Sequence, residues 1–227
     1  MVSAQTAVPI PDDVDDVTAA ALLLQGITAH CLATDTYPVG DGDTVLIHAA
    51  AGGVGLLLTQ LCALRGATII GTASSEQKRD SAREAGADYA IGYDDFMQQV
   101  RRFSDGVGVD VVFDGVGAAT FDGSLGSLRP RGMMVAFGNA SGPVPPFDIL
   151  RLSQLGSLYL TRPTAVHYTL SAEELRGRTG DLFSWIRTGE MVVFAPRIYG
   201  IDDVQEAFRA LESRETTGKV VLTHQGR

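Results

Sequence analysis

The sequence predicts a doubly wound parallel α/β sheet, and three observations carry that expectation. A polar start at Asp43-Thr44 leads through the apolar run Val45-Leu46-Ile47 into small residues ending Gly52-Gly53-Val54-Gly55, after which Leu56, Leu57, Leu58, Leu61 and Leu64 fall at helical spacing. A second strand, Ala67 to Thr72, follows where a βαβ unit requires one. Further strands then alternate with helical patterns at similar spacing, which implies a parallel sheet with helices on its faces.

In chain order, Met1 to Pro11 contains two prolines and reads as an extended lead-in. Asp12, Asp13, Asp15 and Asp16 crowd a helix N-terminus, where carboxylates suit the helix dipole, and a solvated acidic cap is favoured over a metal site. Ala19 to Leu24 is an apolar helical run that Gly26 is expected to break before Ile27 to Ala33 resumes. Tyr37 to Asp43 is a turn into the central strand. Beyond the second strand, Ser75 to Ala85 is a helix ended by Gly86, Asp88 to Ile91 a third strand, Phe96 to Phe103 a helix and Val109 to Asp114 a fourth strand. Phe121 to Leu128 is helical, Arg129-Pro130-Arg131-Gly132 a turn, Met133 to Phe137 a fifth strand and Ser157 to Leu160 a candidate sixth. The tail changes character. Glu173 to Thr188 is helical, Val192 to Tyr199 a strand whose internal Pro196 argues for an edge position, Val204 to Leu211 helical and Lys219 to Thr223 a strand.

The small residues after the first strand match the dinucleotide fingerprint Gly-x-Gly-x-x-Gly, with Ala50, Gly52 and Gly55 at the three glycine positions. The second position lets backbone N–H groups approach a pyrophosphate, the third lets the helix pack close to the strand, and the helix N-terminus favours the anion. Small residues also occur wherever a helix packs tightly on a sheet; the strand before and the helix and strand after make this a dinucleotide site and the sheet a Rossmann fold. In NAD-preferring folds an acidic residue at the tip of the second strand bonds the ribose and repels a 2′-phosphate. Here the tip reads Gly71-Thr72-Ala73-Ser74-Ser75, with Lys78 and Arg79 within one helical turn. Hydroxyls plus a cation suit a 2′-phosphate, so NADP(H) is expected over NAD(H). The alternative is that Lys78 and Arg79 are plain surface charges. Glu76 is expected to point outward.

The 227 residues can form one generous domain, or one with an appendage. A formal net charge of −9 disfavours generic attraction to nucleic acid or to an anionic membrane. No apolar run approaches the roughly 20 residues of a membrane span, and Met1 to Asp16 lacks the layout of a signal peptide, so a cytoplasmic location is expected. Cys31 and Cys62 have no metal-type spacing and read as buried inert thiols, with no metal site implied.

Six stretches taken together resemble the quinone oxidoreductase branch of the medium-chain dehydrogenase/reductase superfamily: Gln25 to His30, His48 to Gly55, Gly108 to Asp114, Phe137 to Val144, Leu160 to Pro163 and Thr217 to Val221. They keep the family's order from about residue 9 onward. The resemblance implies that Gly53 and Val54 lie against the pyrophosphate, beside the fingerprint's Gly52, and that Ser74, Lys78 and Tyr93 surround the adenosine 2′-phosphate. Val116 would border the cofactor at the end of the fourth strand. Phe137, Gly138, Asn139, Leu160 and Thr161 would border the nicotinamide half, with Thr28 on the ring's other side. Without the family, Asn139 reads as a turn residue and Tyr93 as a half-buried aromatic at a strand end. Zinc-dependent cousins carry a cysteine ligand close to where Gln25 stands, which points to the zinc-free branch and to hydride delivery from NADPH to a quinone or other conjugated carbonyl.

Members of the family carry a β-rich catalytic domain in front of the cofactor domain, and this sequence lacks most of it. The expected organisation is a lead-in at 1–16, with Val2 to Pro11 resembling the end of that domain, an NADP(H)-binding domain at 17–190, and a segment at 191–227 that returns to the catalytic domain as a partial remnant of it. No catalytic residue can be carried over. Val192, Val193, Phe194 and Ile198 are expected to be exposed or covered by self-association, and homodimerisation through a sheet edge, usual in the family, would be one cover. The expected function is NADPH-dependent quinone oxidoreduction; the alternatives are a non-catalytic NADP(H)-binding module and an enoyl-thioester reductase.

Overall fold

The computed structural model describes residues 6–213 and 216–224; Val2 to Gln5 of the lead-in lie outside them. Strands β1 (Thr44–Ile47), β2 (Thr68–Thr72), β3 (Tyr89–Ile91), β4 (Val109–Asp114), β5 (Leu128–Ala136) and β6 (Tyr159–Thr161) form one parallel sheet in the order β3-β2-β1-β4-β5-β6. This is the predicted Rossmann arrangement. Chain direction across the sheet reverses between β1 and β4, so a crevice opens beyond their C-terminal ends.

Both faces of the sheet are buried, as a parallel sheet with covering helices requires. Val45, Ile47, Ile69, Val111, Phe113 and Val135 point into the larger core, which is shared with α1 (Asp16–Cys31), α2 (Gly53–Leu64) and α7 (Ala172–Thr188). Leu46, Ile70, Val112 and Met134 point the other way, against Phe96 and Val100 of α4 (Phe96–Phe103) and Phe121 and Leu125 of α5 (Phe121–Ser127). Two-residue alternation thus becomes two cores, with each fully buried aliphatic side chain contributing about 1.5–3 kcal/mol of transfer free energy.

Helix boundaries follow their caps. Asp15 accepts from the Thr18 backbone N–H at 2.9 Å to start α1, and Ser75 accepts from Lys78 to start α3 (Glu76–Glu84). Ser171 and Glu174 form a reciprocal capping box at the start of α7. Between β5 and β6, α6 (Leu150–Gln154) adds a short helix that the sequence pattern does not announce.

Several expectations are corrected. Gly26 does not break the first helix, which runs unbroken to Cys31 and continues as a π-helical turn over Leu32–Thr36. A Cβ at Gly26 would stand 3.0 Å from the Leu182 side chain, so this glycine marks the approach of α1 to α7. Residues 129–132 are absorbed into β5 as a bulge. Pairing jumps from Val109↔Leu128 to Val111↔Met133, so Arg129 to Gly132 stand opposite Asp110 alone, with Arg131 left-handed at φ 62°. The helix Asp16–Thr36 is long and apolar enough, by length and composition, to cross a membrane, against the expectation that no run approaches that length. Half of its most apolar window is buried inside the protein, and it packs on α2 and α7.

The tail forms a second, two-stranded parallel sheet from β7 (Arg197–Gly200) and β8 (Val220–Thr223), joined through α8 (Val204–Glu212). Pro196 lies just before β7 instead of inside it, and residues 192–196 are irregular. Tyr199, Ala207 and Ala210 make a small core there. Val192 and Ile198 are more than half exposed, as is Phe208, while Val193 packs against the main core. Two contacts tie the segment down. The buried Gln60 side chain donates to the Val192 carbonyl at 3.1 Å and accepts from its N–H at 2.8 Å, and the Gly218 N–H donates to Ala51 O at 2.9 Å.

Candidate functional site

The crevice is organised by the turn between β1 and α2. The Ala49 backbone is left-handed, φ 53°, and its carbonyl accepts from the Gly52 N–H at 2.8 Å, which folds the chain sharply back into the helix. Gly52 is the N-cap and, among the described residues, no side chain caps the helix, so its first-turn N–H groups have no side-chain acceptor from them. A Cβ on Gly55 would come within 2.8 Å of the Ala50 backbone, so helix and strand touch there with no room for a side chain. Gly117, at φ 92°, allows the equally tight turn after β4, with Asn139 and Gly142 backbone atoms pressed against it.

Around this turn lies a cleft of about 380 Å³, within the range of small-molecule and cofactor sites. Gly52, Ser74, Lys78, Tyr93 and Val116, all predicted site residues, line it. Among the described lining residues none is a carboxylate and Lys78 alone is charged. Arg79 is turned away, its Nε donating to Glu76 at 2.9 Å, and Glu76 also holds Arg83 at 3.0 Å. The cleft therefore presents amides, hydroxyls and one cation, which suits a phosphate-bearing ligand.

The other predicted residues do not line this cleft. Gly53 and Val54 are half-buried in the first turn of α2, where a Cβ on Gly53 would strike the Gln25 side chain of α1. Thr28 lies one turn along α1 from Gln25, its hydroxyl donating to Leu24 O at 2.8 Å. Phe137 and Gly138 follow β5, and both of their N–H groups donate to the Asp114 carbonyl, at 2.8 and 3.2 Å. Asn139 is exposed and its carbonyl accepts from Gly142 N. Leu160 and Thr161 stand on β6 beside Met134 and Val135 of β5.

Behind the cleft is a buried polar chain. Asp114 Oδ1 accepts from Val116 N and Gly117 N at 2.7 and 3.0 Å, while Oδ2 accepts from Thr120 Oγ1 and Ser124 Oγ at 2.7 and 2.9 Å. Ser124 Oγ lies 2.9 Å from His48 Nε2, and His48 Nδ1 lies 2.9 Å from Thr72 Oγ1. Burial lowers the His48 imidazole to about 4, against an opposing pull from Asp114, so the ring is neutral. Its face stacks on Tyr93 and it meets Phe96 edge-on. The Tyr93 hydroxyl accepts from Ala49 N at 3.1 Å.

A family model described as zinc-binding dehydrogenase matches residues 53–180. The quinone oxidoreductase of Pseudomonas aeruginosa is 41% identical over 95% of this chain and 67% of its own length. The 2-haloacrylate reductase of a Burkholderia species is 40% identical over 96% of this chain and 66% of its own. A solved mycobacterial protein complexed with NADPH superposes with a TM-score of 0.91 at 47% identity, over 94% of this chain and 66% of that one. The chain belongs to the quinone oxidoreductase branch of the medium-chain dehydrogenase/reductase superfamily. It spans about two thirds of the length of these relatives.

Within that family frame, sequence reasoning missed Ala49, Ala73, Phe96, Ala119, Thr120 and Ser141, all of which line the cleft. Ala49 and Ala73 follow strand tips and could have been found from strand position alone. Thr120 and Ser141 had no local signal, because loops brought together by β4 and β5 place them there. Leu211 and Thr216, from the tail, complete one wall. No sequence pattern links a tail helix to the glycine turn; the Gly218–Ala51 bond does.

Proposed function

We propose that this chain is the NADPH-holding part of a zinc-independent quinone oxidoreductase, a reductase of quinones or related conjugated carbonyl compounds. The observation that carries the reading is the cleft at the β1/β4 switch point, with an uncapped helix N-terminus at its glycine turn and Lys78 as the sole charge among its described lining residues. NADPH supplies a hydride when bound; the protein's part is to bind, orient and exclude water. The α2 N-terminus faces the place a pyrophosphate would take. Ser74 and Lys78 would hold the 2′-phosphate, and a carboxylate that would repel it is missing from the described lining. The ends of β5 and β6, with Phe137, Gly138 and Thr161, would border the nicotinamide half.

Zinc independence is supported by the donor set. Gln25 stands where zinc-dependent cousins have cysteine, its side chain against Gly53. Cys31 and Cys62 are both buried, with the Cys31 thiol pushed up to about 11 by burial. Division of the chain at about residue 190 into a cofactor domain and a returning segment is supported by the separate small sheet of β7 and β8. Homodimerisation through the β6 edge is supported by the exposed Tyr159 and Leu160 on that strand.

A second reading, a cofactor-holding module without turnover of its own, is favoured by Asn139 and Leu160, which are exposed at the nicotinamide end instead of enclosed. One experiment separates the two. Calorimetric titration with NADPH and NADH, followed by NADPH oxidation with a simple 1,4-quinone, is expected to show binding with preference for NADPH. Turnover then supports the reductase and its absence the module. No binding of either nucleotide would overturn both.

A further inference from the structure

His48 carries more structure than a satisfied core histidine needs, and its proton can be placed by counting. Asp114 Oδ2 and the Thr120 carbonyl, both acceptors, lie 2.9 and 2.8 Å from Ser124 Oγ. The charged Asp114 carboxylate is the strongest of the acceptors around Ser124, and with the single Ser124 proton placed on it Ser124 accepts from His48. That assigns the proton of the neutral ring to Nε2, and Nδ1 accepts from the Thr72 hydroxyl. The donor chain therefore runs Thr72, His48, Ser124, Asp114.

Three of its members sit next to a wall of the cleft. Thr72 precedes Ala73 and Ser74 at the 2′-phosphate end of β2, and His48 precedes Ala49 of the glycine turn. Asp114 fixes the N–H groups of Val116 and Gly117 and the hydroxyl of Thr120 in the loop after β4. The ring also contacts Tyr93 and Phe96, both cleft residues. We propose that neutral His48, protonated on Nε2, is a positioning residue for the adenosine and pyrophosphate half of NADPH, holding the ends of β1, β2 and β4 in one register. This rests on the cofactor reading above. Its effect belongs to nucleotide affinity, because the groups the ring itself meets, Thr72, Ser124, Tyr93 and Phe96, lie away from the ends of β5 and β6, which the donor chain reaches only through the Asp114 backbone.

The test uses the full chain, titrated with NADPH and with 2′,5′-ADP, which carries only the adenosine half. His48→Gln keeps a donor near the Nε2 position and is expected to bind both ligands within about threefold of the parent, whereas His48→Leu and Ser124→Ala are expected to lose about tenfold for both, the equivalent of one good hydrogen bond. Long-range 1H–15N spectra of the ring are expected to show the Nε2–H form in the parent and a gain of the Nδ1–H form in Ser124→Ala. Should His48→Leu fail to fold, Ser124→Ala and the ring spectra decide. An Nδ1–H ring in the parent, or a folded Ser124→Ala protein that binds 2′,5′-ADP like the parent, overturns the proposal while leaving the cofactor reading intact. Failure of the parent to bind either ligand refutes both.

Discussion

Lys78 and Arg79 are adjacent cations in the first turn of α3, just beyond β2, and only their neighbours tell them apart. Arg79 is held by Glu76 on its own helix, while Lys78 lines the cleft. Cofactor choice should therefore rest on Lys78. Lys78→Glu is expected to weaken NADPH binding by about 10- to 100-fold, the loss of one charge-assisted contact of roughly 1.5–3 kcal/mol, and to leave NADH nearly unchanged. Calorimetric affinities for the two nucleotides check this, and an equal loss for both would place the 2′-phosphate elsewhere. Asp114 makes a related point. As the last residue of an apolar strand it looks like a simple strand end, yet it is fully buried and its carboxylate accepts four hydrogen bonds.

Elements meet where the sequence leaves unusual residues. Gly26 lets α1 come close to Leu182 of α7. Gly26→Val is expected to destabilise the protein by roughly 2 kcal/mol through overpacking, visible as a lower urea midpoint with an unchanged slope. Gln60, buried in the apolar α2, holds the returning tail through both backbone groups of Val192. Gln60→Leu leaves those groups unpaired at a cost of about 1–3 kcal/mol, and should speed limited proteolysis near residues 190–196 before the sheet itself opens. Cleavage at the parent rate would mean that the Gly218–Ala51 bond alone secures the segment.

At the scale of the whole molecule, two buried histidines set an acid limit. His48 titrates near 4 in the folded protein against 6.5 for a free histidine, and His30 is also lowered, first by burial. Below 6.5 the unfolded chain takes up protons that the folded chain refuses until about 4. Stability is therefore complete above pH 6.5 and falls as the pH drops towards 4, by on the order of 3 kcal/mol for His48. Urea unfolding between pH 7 and 4.5 should show this decline, with a shallower slope in His48→Gln. Saturating NADPH should raise the midpoint at every pH, by about 2.7 kcal/mol at one hundred times the dissociation constant.

The apolar strands β1, β2 and β4, the helix starts at the aspartates around Asp15 and at Ser75, and the spacing of Gly52 and Gly55 were legible in the amino-acid order, because periodicity and turn chemistry act over a few residues. So was the carboxylate-free tip of β2, whereas the strand order, and with it the switch point that opens the cleft, came from the structure. Only the tertiary structure decided that Gly26 joins two helices instead of ending one, that Arg129 to Gly132 bulge within a strand, and that Pro196 precedes the tail strand. The same holds for the chain from Thr72 through His48 and Ser124 to Asp114, and for Leu211 and Thr216 in the cleft wall. These depend on contacts between residues far apart in the chain, where the free energy comes from close packing and shared protons that no local pattern records.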